Sequence, residues 1–569
     1  MPERSEHMRL SALACTLLFA LILSVRVLPA QAVRGIGDDA TTPARGGIRV
    51  QFSTSITDFT ERYGKGTPGR ADGSREPLGI DFSVDTLGIA QFPGLMSVQS
   101  ALRTLTGNSA FTLSLGKVNL IEQVRIQTTP IQLEAGITRR LSLGVMVPIV
   151  SARNQVVFNV NSGTATGNVS FNPAKTGDAA SAATNALLVS QITAARTQLA
   201  SLLASCQSNP GSNAQCASII ANAPTINANA TAFTTGIAQV YGTTASSGSV
   251  FVPHAASAGD SAVRNRVTAF RTQYAQYGVT AIAATTLGPA RAASAITPDG
   301  LQRVITDSTP GLLAAPLGTV THQGLGDIEV AVKLRVFDTF GGRSDTTRFL
   351  PKGMNLRQSV AGVYRFGTGT IDLPDNFLDY GTGDGKGQRD IEIRSFTDIV
   401  YGQHFFTSLV ARYTLQLADE QQLRITDAPN QVFAPSWRQR LVSRDLGDQL
   451  QIEVTPRWVL NDFFSVGAQY LFRSKAEDKF AGTFIVPPSE SGLPAPVTLN
   501  ASTLSYETAA IEQRVGIGLT FSSVAAHARH KAKWPIEVQY FNSRTITGSG
   551  GNVPKLSIHQ LQVRLYPKL

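Results

Sequence analysis

Charge is scarce in this chain. Asp, Glu, Lys and Arg make up 16% of its 569 residues, against roughly 25% in an average soluble domain. Beyond the N-terminal stretch, no segment approaches the ~18 uninterrupted apolar residues of a membrane-spanning helix. A net charge of +10 would suit nucleic acid, but the Lys and Arg residues are scattered, with no basic arm and no recognised motif, so no nucleic-acid partner is expected. Enzyme signatures are missing too. Neither G-x-S-x-G nor H-E-x-x-H occurs, and GTGDGKGQ at 381–388 lacks the phosphate-loop spacing and a Ser or Thr after Lys386. His527 and His530 in AAHARHK have no third ligand nearby, so a charged turn is the better reading than a metal site. No catalytic residue, metal or cofactor is expected, and the chain reads as a non-enzyme.

What is present begins at the N-terminus. Arg4 and Arg9 precede LSALACTLLFALILSV, and Pro29 leads into Ala30-Gln31-Ala32. That is the pattern of a secretory signal cut after Ala32, so residues 1–32 are assigned as a signal peptide. Of three cysteines, Cys15 lies within this segment. Cys206 and Cys216 remain, in SCQSNPGSNAQC; in an exported protein they are expected to form a disulfide that staples a helical hairpin.

The dominant signal is alternation. In PIQLEAGITRRLSLGVMVPIV (130–150) the apolar residues Ile131, Leu133, Ala135, Ile137 and then Leu141, Leu143, Val145, Val147 and Ile149 fall on one face. The two runs are separated only by Thr138-Arg139-Arg140. GDIEVAVKLRVF repeats the pattern, as do hairpins turning near Gly402-Gln403 and Asn461-Asp462, the segments IEQRVGIGLTF, PIEVQYFN and LSIHQLQVRLY, and a first strand in GGIRVQFSTSITDF. About twelve strands result, with a range of ten to sixteen. At roughly 9 to 13 residues each they are long enough to cross a bilayer at a tilt, whereas soluble strands usually run ~5–6. Tight turns at 138–140, 402–404 and 461–462 alternate with long loops at 367–388, 418–448 and 473–511, the asymmetry of outer-membrane barrels. With Leu569 in the periplasm, counting backwards puts the tight turns on the periplasmic side.

Residues 151–325 break the pattern. This Ala/Ser/Thr-rich insertion includes a helical face at Leu187, Leu188, Ile192, Leu199, Leu202 and Leu203, and a second amphipathic helix in SAVRNRVTAFRTQYAQYG. Strand parity places it outside the cell; folding back as a periplasmic or lumen-plugging piece is the alternative. The expected organisation is therefore signal peptide (1–32), first strands and a long loop (33–150), partly helical insertion (151–325) and remaining strands (326–569). The fold class is all-β: an antiparallel transmembrane β-barrel carrying a large, partly α-helical insertion.

Three segments carry a family resemblance. ITRRLSLGVMVPIV, GLGDIEVAVKLRVF and the terminal QVRLYPKL resemble Gram-negative outer-membrane β-barrel proteins. They are most similar to the transporter barrels associated with phenol meta-pathway degradation. The resemblance covers residues 128–150 and 324–338 well and the other strands generically. It implies a porin-like barrel inserted by the barrel-assembly machinery, with aromatic or hydrophobic compounds among its solutes. The insertion and the final Tyr566-Pro567-Lys568-Leu569, in place of a terminal Phe, depart from it.

If the apolar faces meet outer-membrane lipid, the other face lines a lumen. The expected lining is Glu134, Glu329, Lys333, Arg335, Glu392, Arg394, Asp398, Arg412, Glu453, Arg457, Glu512, Arg514, Glu537 and Arg564. On a lipid face a midplane Arg would cost ~2–4 kcal/mol, so charges sharing one register require a wet or mutually paired interior. Tyr401, Phe405, Trp458, Phe463, Phe464, Tyr470, Phe472, Trp534, Tyr540 and Tyr566 are expected as interfacial girdles. The function expected is passive passage of small solutes across the outer membrane. The alternative is a closed structural or surface-interaction barrel whose insertion binds a partner. Oligomeric state is not legible.

Overall fold

The computed structural model describes residues 38–566 except 65–70, 164–166, 309–311, 340–352, 383–386, 403, 429–430 and 529. The signal-peptide assignment and the last three residues lie outside the described residues. Twelve antiparallel strands close into a barrel. They are β1 (Ile48–Phe59), β2 (Ser114–Gly136), β3 (Leu141–Val160), β4 (Glu329–Asp338), β5 (Met354–Arg365), β6 (Asp390–Tyr401), β7 (Phe405–Gln416), β8 (Gln449–Val459), β9 (Phe464–Lys475), β10 (Ala510–Ser522), β11 (Ile536–Ser549) and β12 (Ser557–Leu565). Sequential strands are neighbours throughout, and β1 pairs with β12 from Val50↔Leu565 to Asp58↔Ser557, which completes the ring. Closure leaves the ring no exposed edge, as a lipid-embedded sheet requires.

The turns explain the register. At the β2–β3 turn Thr138 Oγ1 accepts from the Arg140 and Leu141 amides at 3.1 and 2.9 Å. At the β8–β9 turn Asn461 Oδ1 accepts from the Phe463 and Phe464 amides at 2.8 and 2.9 Å. Each polar side chain thus replaces backbone partners that a two-to-four-residue link cannot supply. Gly402, at φ +64°, supplies the left-handed residue of the β6–β7 turn. These turns share one end of the barrel, the turn end, with the longer links 339–353 and 523–535, while the connections 60–113, 161–328, 366–389, 417–448 and 476–509 share the other, the loop end.

Val330, Val332, Leu334 and Val336 on β4 face outward, as do Leu143, Val145 and Ile149 on β3 and Val515, Ile517 and Leu519 on β10. This apolar belt is bounded at the turn end by outward Tyr401, Trp458, Phe464, Trp534 and Tyr540; Tyr413 is outward near the loop end, and Tyr470 is outward at mid-strand. Trp458 stacks on His404 and Phe463 on Phe521, both at 5.9 Å between ring centroids. Tyr566 does not join a girdle. It follows Arg564 in the period of two and is buried inside.

β2 and β3 continue well beyond the belt, and their polarity inverts where they do. Outward positions change from Leu133 and Ile131 to Gln127, Arg125 and Gln123 on β2, and from Val147 and Ile149 to Ser151, Arg153 and Gln155 on β3. Inward positions change from Glu134 and Ser142 to Val124, Leu120, Ala152 and Val156, all buried. The hairpin faces lipid outside and polar groups inside below that level, then water outside and a protein core above it.

That core belongs to a cap at the loop end. It contains α1 (Met96–Thr106), α2 (Ala179–Ser208), α3 (Cys216–Val240), α4 (Ala258–Ala275) and α5 (Pro298–Thr306). Leu188, Ile192, Leu199, Ile219, Phe233, Val267 and Leu301 form one apolar cluster with Leu102 of α1. Asp178 and Ser257 cap α2 and α4 by accepting from the amides of Ala180 and Asp260. A disulfide joins Cys206 to Cys216 across the α2–α3 link. Leu378 of the β5–β6 loop and Phe433 of the β7–β8 loop enter the same cluster, and Arg424 ties the two together through Asp375 at 2.6 Å.

Candidate functional site: the barrel lumen

Each of the fourteen lumen-lining candidates sits on the face opposite the apolar belt of its strand, and most are buried. They fall into local ion-pair groups. Glu329 accepts from Arg394 at 3.0 Å and from Arg365 at 2.6 Å, and Glu392 joins them through Arg394 and through Thr414 at 2.8 Å. Arg412 reaches Glu453 at 3.4 Å, and Gln469 donates to the same carboxylate at 2.6 Å. Glu512 accepts from Arg514 at 2.8 Å and from Thr545 at 2.9 Å, with Arg473 at 3.2 Å. Arg564 pairs with Glu537 at 3.0 Å. Glu134 holds Arg49 and accepts from Ser142 at 2.6 Å. Arg457 is buried with its guanidinium 5.0 Å from the Phe406 ring. Arg335 stands apart at the turn end, pairing with Asp338 at 3.1 Å.

The remaining two, Lys333 and Asp398, face something the sequence does not announce. Residues 38–47 enter the barrel from the turn end, anchored where the Gly46 amide donates to Gly136 O at 2.8 Å. Asp39, Ala40, Thr41 and Thr42 are buried there. Lys333 Nζ donates to Asp39 O at 2.6 Å, the Ala40 amide to Asp398 Oδ2 at 3.0 Å, and Ser359 Oγ to Ala40 O at 2.6 Å. The side chains add charge pairing: Asp38 with Arg412 at 2.7 Å, and Asp39 with Arg564 at 3.6 Å and Arg49 at 3.8 Å. A lumen-filling segment is therefore held by β1, β4, β5, β6, β7 and β12 at once. The Asp39 carbonyl and both backbone groups of Ala40 are satisfied by wall side chains, as buried backbone groups must find partners.

Two cavities flank the segment. One of about 230 Å³ is lined by Asp38, Gln51, Arg412, Gln469, Arg514 and Gln560. The other, only about 50 Å³, is lined by Asp39, Arg49, Glu134, Lys333, Arg394 and Phe396. The loop end is covered as well. Tyr380, on the β5–β6 loop, packs edge-on against Phe59 at the end of β1 with centroids 6.3 Å apart. Those strands are four to five places apart in a ring of twelve, so the loop lies across the mouth. Leu78, Val124 and Leu556 complete that seal.

Arg49 and Arg365 belong to the lining and carry a readable signal, since each occupies the inward register of an alternating strand. Asp38 and Asp39 have none: GIGDDATTPARGG shows no period from which a position could be inferred.

No protein-family model matches the chain, and no curated protein matches it significantly. Among solved structures the chain is similar to an outer-membrane channel from Pseudomonas putida F1, with 8% identity, a TM-score of 0.40, and coverage of 94% of this chain and 100% of that one. A mutant of the monoaromatic hydrocarbon channel TodX matches with 9% identity and a TM-score of 0.28, covering 97% and 98%. The translocator domain of the autotransporter NalP from Neisseria meningitidis matches with 7% identity and a TM-score of 0.25, covering 100% and 98%. Closed strands, an apolar belt edged by aromatic residues at the turn end and a charged interior together make this chain a β-barrel of the outer-membrane type.

Proposed function

We propose that the protein is a gated outer-membrane channel for the passive passage of small solutes. The carrying observation is the larger polar cavity beside the lumen segment: the interior holds space for a small solute, lined by groups that can replace a hydration shell. The loop end faces outside, and the short turns face the periplasm, as in bacterial barrels generally. Opening requires displacement of the segment at one end and of the Tyr380 loop at the other. Small solutes in general are the proposed cargo, aromatic ones included, and the wall asks that they carry a hydrogen-bonding or charged group. Uptake of labelled solutes into vesicles holding the refolded protein tests this. Selective, size-limited entry supports it, and vesicles no leakier than protein-free ones refute it.

A second reading, a closed barrel that presents its cap to a partner, is favoured by one observation. The ion pairs, the lumen segment and the Tyr380 seal together leave both ends covered. Protease treatment of intact cells bears on both readings: cleavage between Cys206 and Cys216 is expected if the cap is outside.

A further inference from the structure

The cations around residues 38 and 39 divide their contacts between the wall carboxylates and the lumen segment. Arg49, Arg412 and Arg564 each pair with one wall carboxylate, respectively Glu134, Glu453 and Glu537. Each also turns toward Asp38 or Asp39. Lys333 makes no ion pair with a wall carboxylate among the described residues; its ammonium meets the Asp39 carbonyl at 2.6 Å and the Phe396 ring at 4.3 Å. Arg49, Lys333 and Arg564 are all at least nine-tenths buried. Were the segment to withdraw with nothing in its place, these buried cations would lose their contacts with Asp38 and Asp39, an unfavourable outcome in a low-dielectric interior. A guanidinium fork is best completed by a carboxylate, which it binds through parallel N–H donors.

We propose that Asp38 and Asp39 are resident stand-ins for a solute, and that Arg49, Lys333, Arg412 and Arg564 form a binding subsite for small organic dicarboxylates on the conduction path. The two acidic side chains mark the positions of the solute's carboxylates, one beside Arg412 and one between Arg49 and Arg564. The larger flanking cavity, which touches Asp38, Arg412 and Arg564, gives an incoming anion access to those cations before the segment has left. Entry of the dicarboxylate and release of the segment are then one exchange of ion pairs, with little net loss of pairing at any stage. This rests on the channel reading for its place on a path, but not for the existence of the subsite.

Calorimetric titration of succinate into the refolded full-length barrel tests the proposal without requiring current to flow. D38N/D39N keeps the segment's shape while removing its charge, and a heat-shift gel confirms that each variant is folded. Succinate is expected to bind D38N/D39N at least tenfold more tightly than the unsubstituted protein. Adding R412Q to that variant should weaken binding at least tenfold, with monovalent acetate a weaker ligand throughout. A folded D38N/D39N barrel that binds succinate no better than the parent, or binding indifferent to R412Q, overturns the proposal. A barrel that binds succinate but admits no solute would sink the channel reading and leave the subsite standing.

Discussion

Asp38 and Arg412 are 374 residues apart in sequence, and their side chains meet at 2.7 Å inside the barrel. The contact joins a segment that precedes the first strand to the seventh strand of the ring, and so ties closure of the lumen to the charge pattern of its wall.

Loosening that segment should be visible as both lost stability and gained permeability. Lys333→Met removes the donor to the Asp39 carbonyl while keeping the stem over Phe396. An unsatisfied buried carbonyl costs about 1–3 kcal/mol. The expected result is a lower heat-shift midpoint together with faster solute entry into vesicles; a midpoint that falls with no change in entry would detach the segment from gating.

The lipid belt makes a prediction of opposite geometry. Val332 and Lys333 are adjacent on β4 and face opposite solvents. Val332→Arg puts a charge near the middle of the apolar belt and should cost ~2–4 kcal/mol of barrel stability. Unfolding by guanidinium in lipid vesicles reads this directly. A cost below ~0.5 kcal/mol would show that Val332 lies outside the hydrocarbon region.

The cap should respond to reductant while the barrel does not. Cys206 and Cys216 close the link between α2 and α3, and a cross-link over a short loop stabilises by about 2–4 kcal/mol. C206S/C216S is expected to speed proteolysis at 207–215 and to leave the barrel's heat-shift unchanged.

Alkaline pH should likewise act on the cap first. Burial pushes the Tyr274 hydroxyl up to about 12; that hydroxyl donates to Asn227 at 3.1 Å. Burial raises Tyr241 further still. For a group whose neutral form the fold prefers, the stabilisation is complete below the ordinary tyrosine value near 10 and is lost as pH rises through the folded value. Absorbance titration should show exposed tyrosines ionising near pH 10 while Tyr274 and Tyr241 hold until the helices open near pH 12. Tyr274→Phe should move that opening to higher pH, and ionisation of every tyrosine in one step near pH 10 would contradict the packing.

Particular residues show how far the sequence could be read. Val330, Val332 and Leu334 alternate with Glu329, Lys333 and Arg335 along β4, so the period and the face were legible there. The β2–β3 hairpin was legible only within 128–150, because outside that window the alternation persists while its polarity inverts, and Leu120 and Val156 face protein where Glu134 faces the lumen. Helix α3 escapes pattern reading because Pro224 and many Thr and Asn residues blur its face; its buried Ile219, Phe233 and Ile237 are set by tertiary packing. The lumen segment is the extreme case. Locally it has little more than the Asp39–Thr41 hydrogen bonds, and much of its position is set by Lys333, Ser359, Asp398, Arg412 and Arg564, hundreds of residues away.

The most direct test of the gated-channel account is single-channel conductance of the refolded protein in a planar bilayer, with D38N/D39N measured beside it. Short, infrequent conductance steps are predicted for the unsubstituted protein, with longer and more frequent ones, selective for anions, for the variant. Barrels that are folded by heat-shift yet silent in both forms would contradict the account and favour the closed, partner-binding reading.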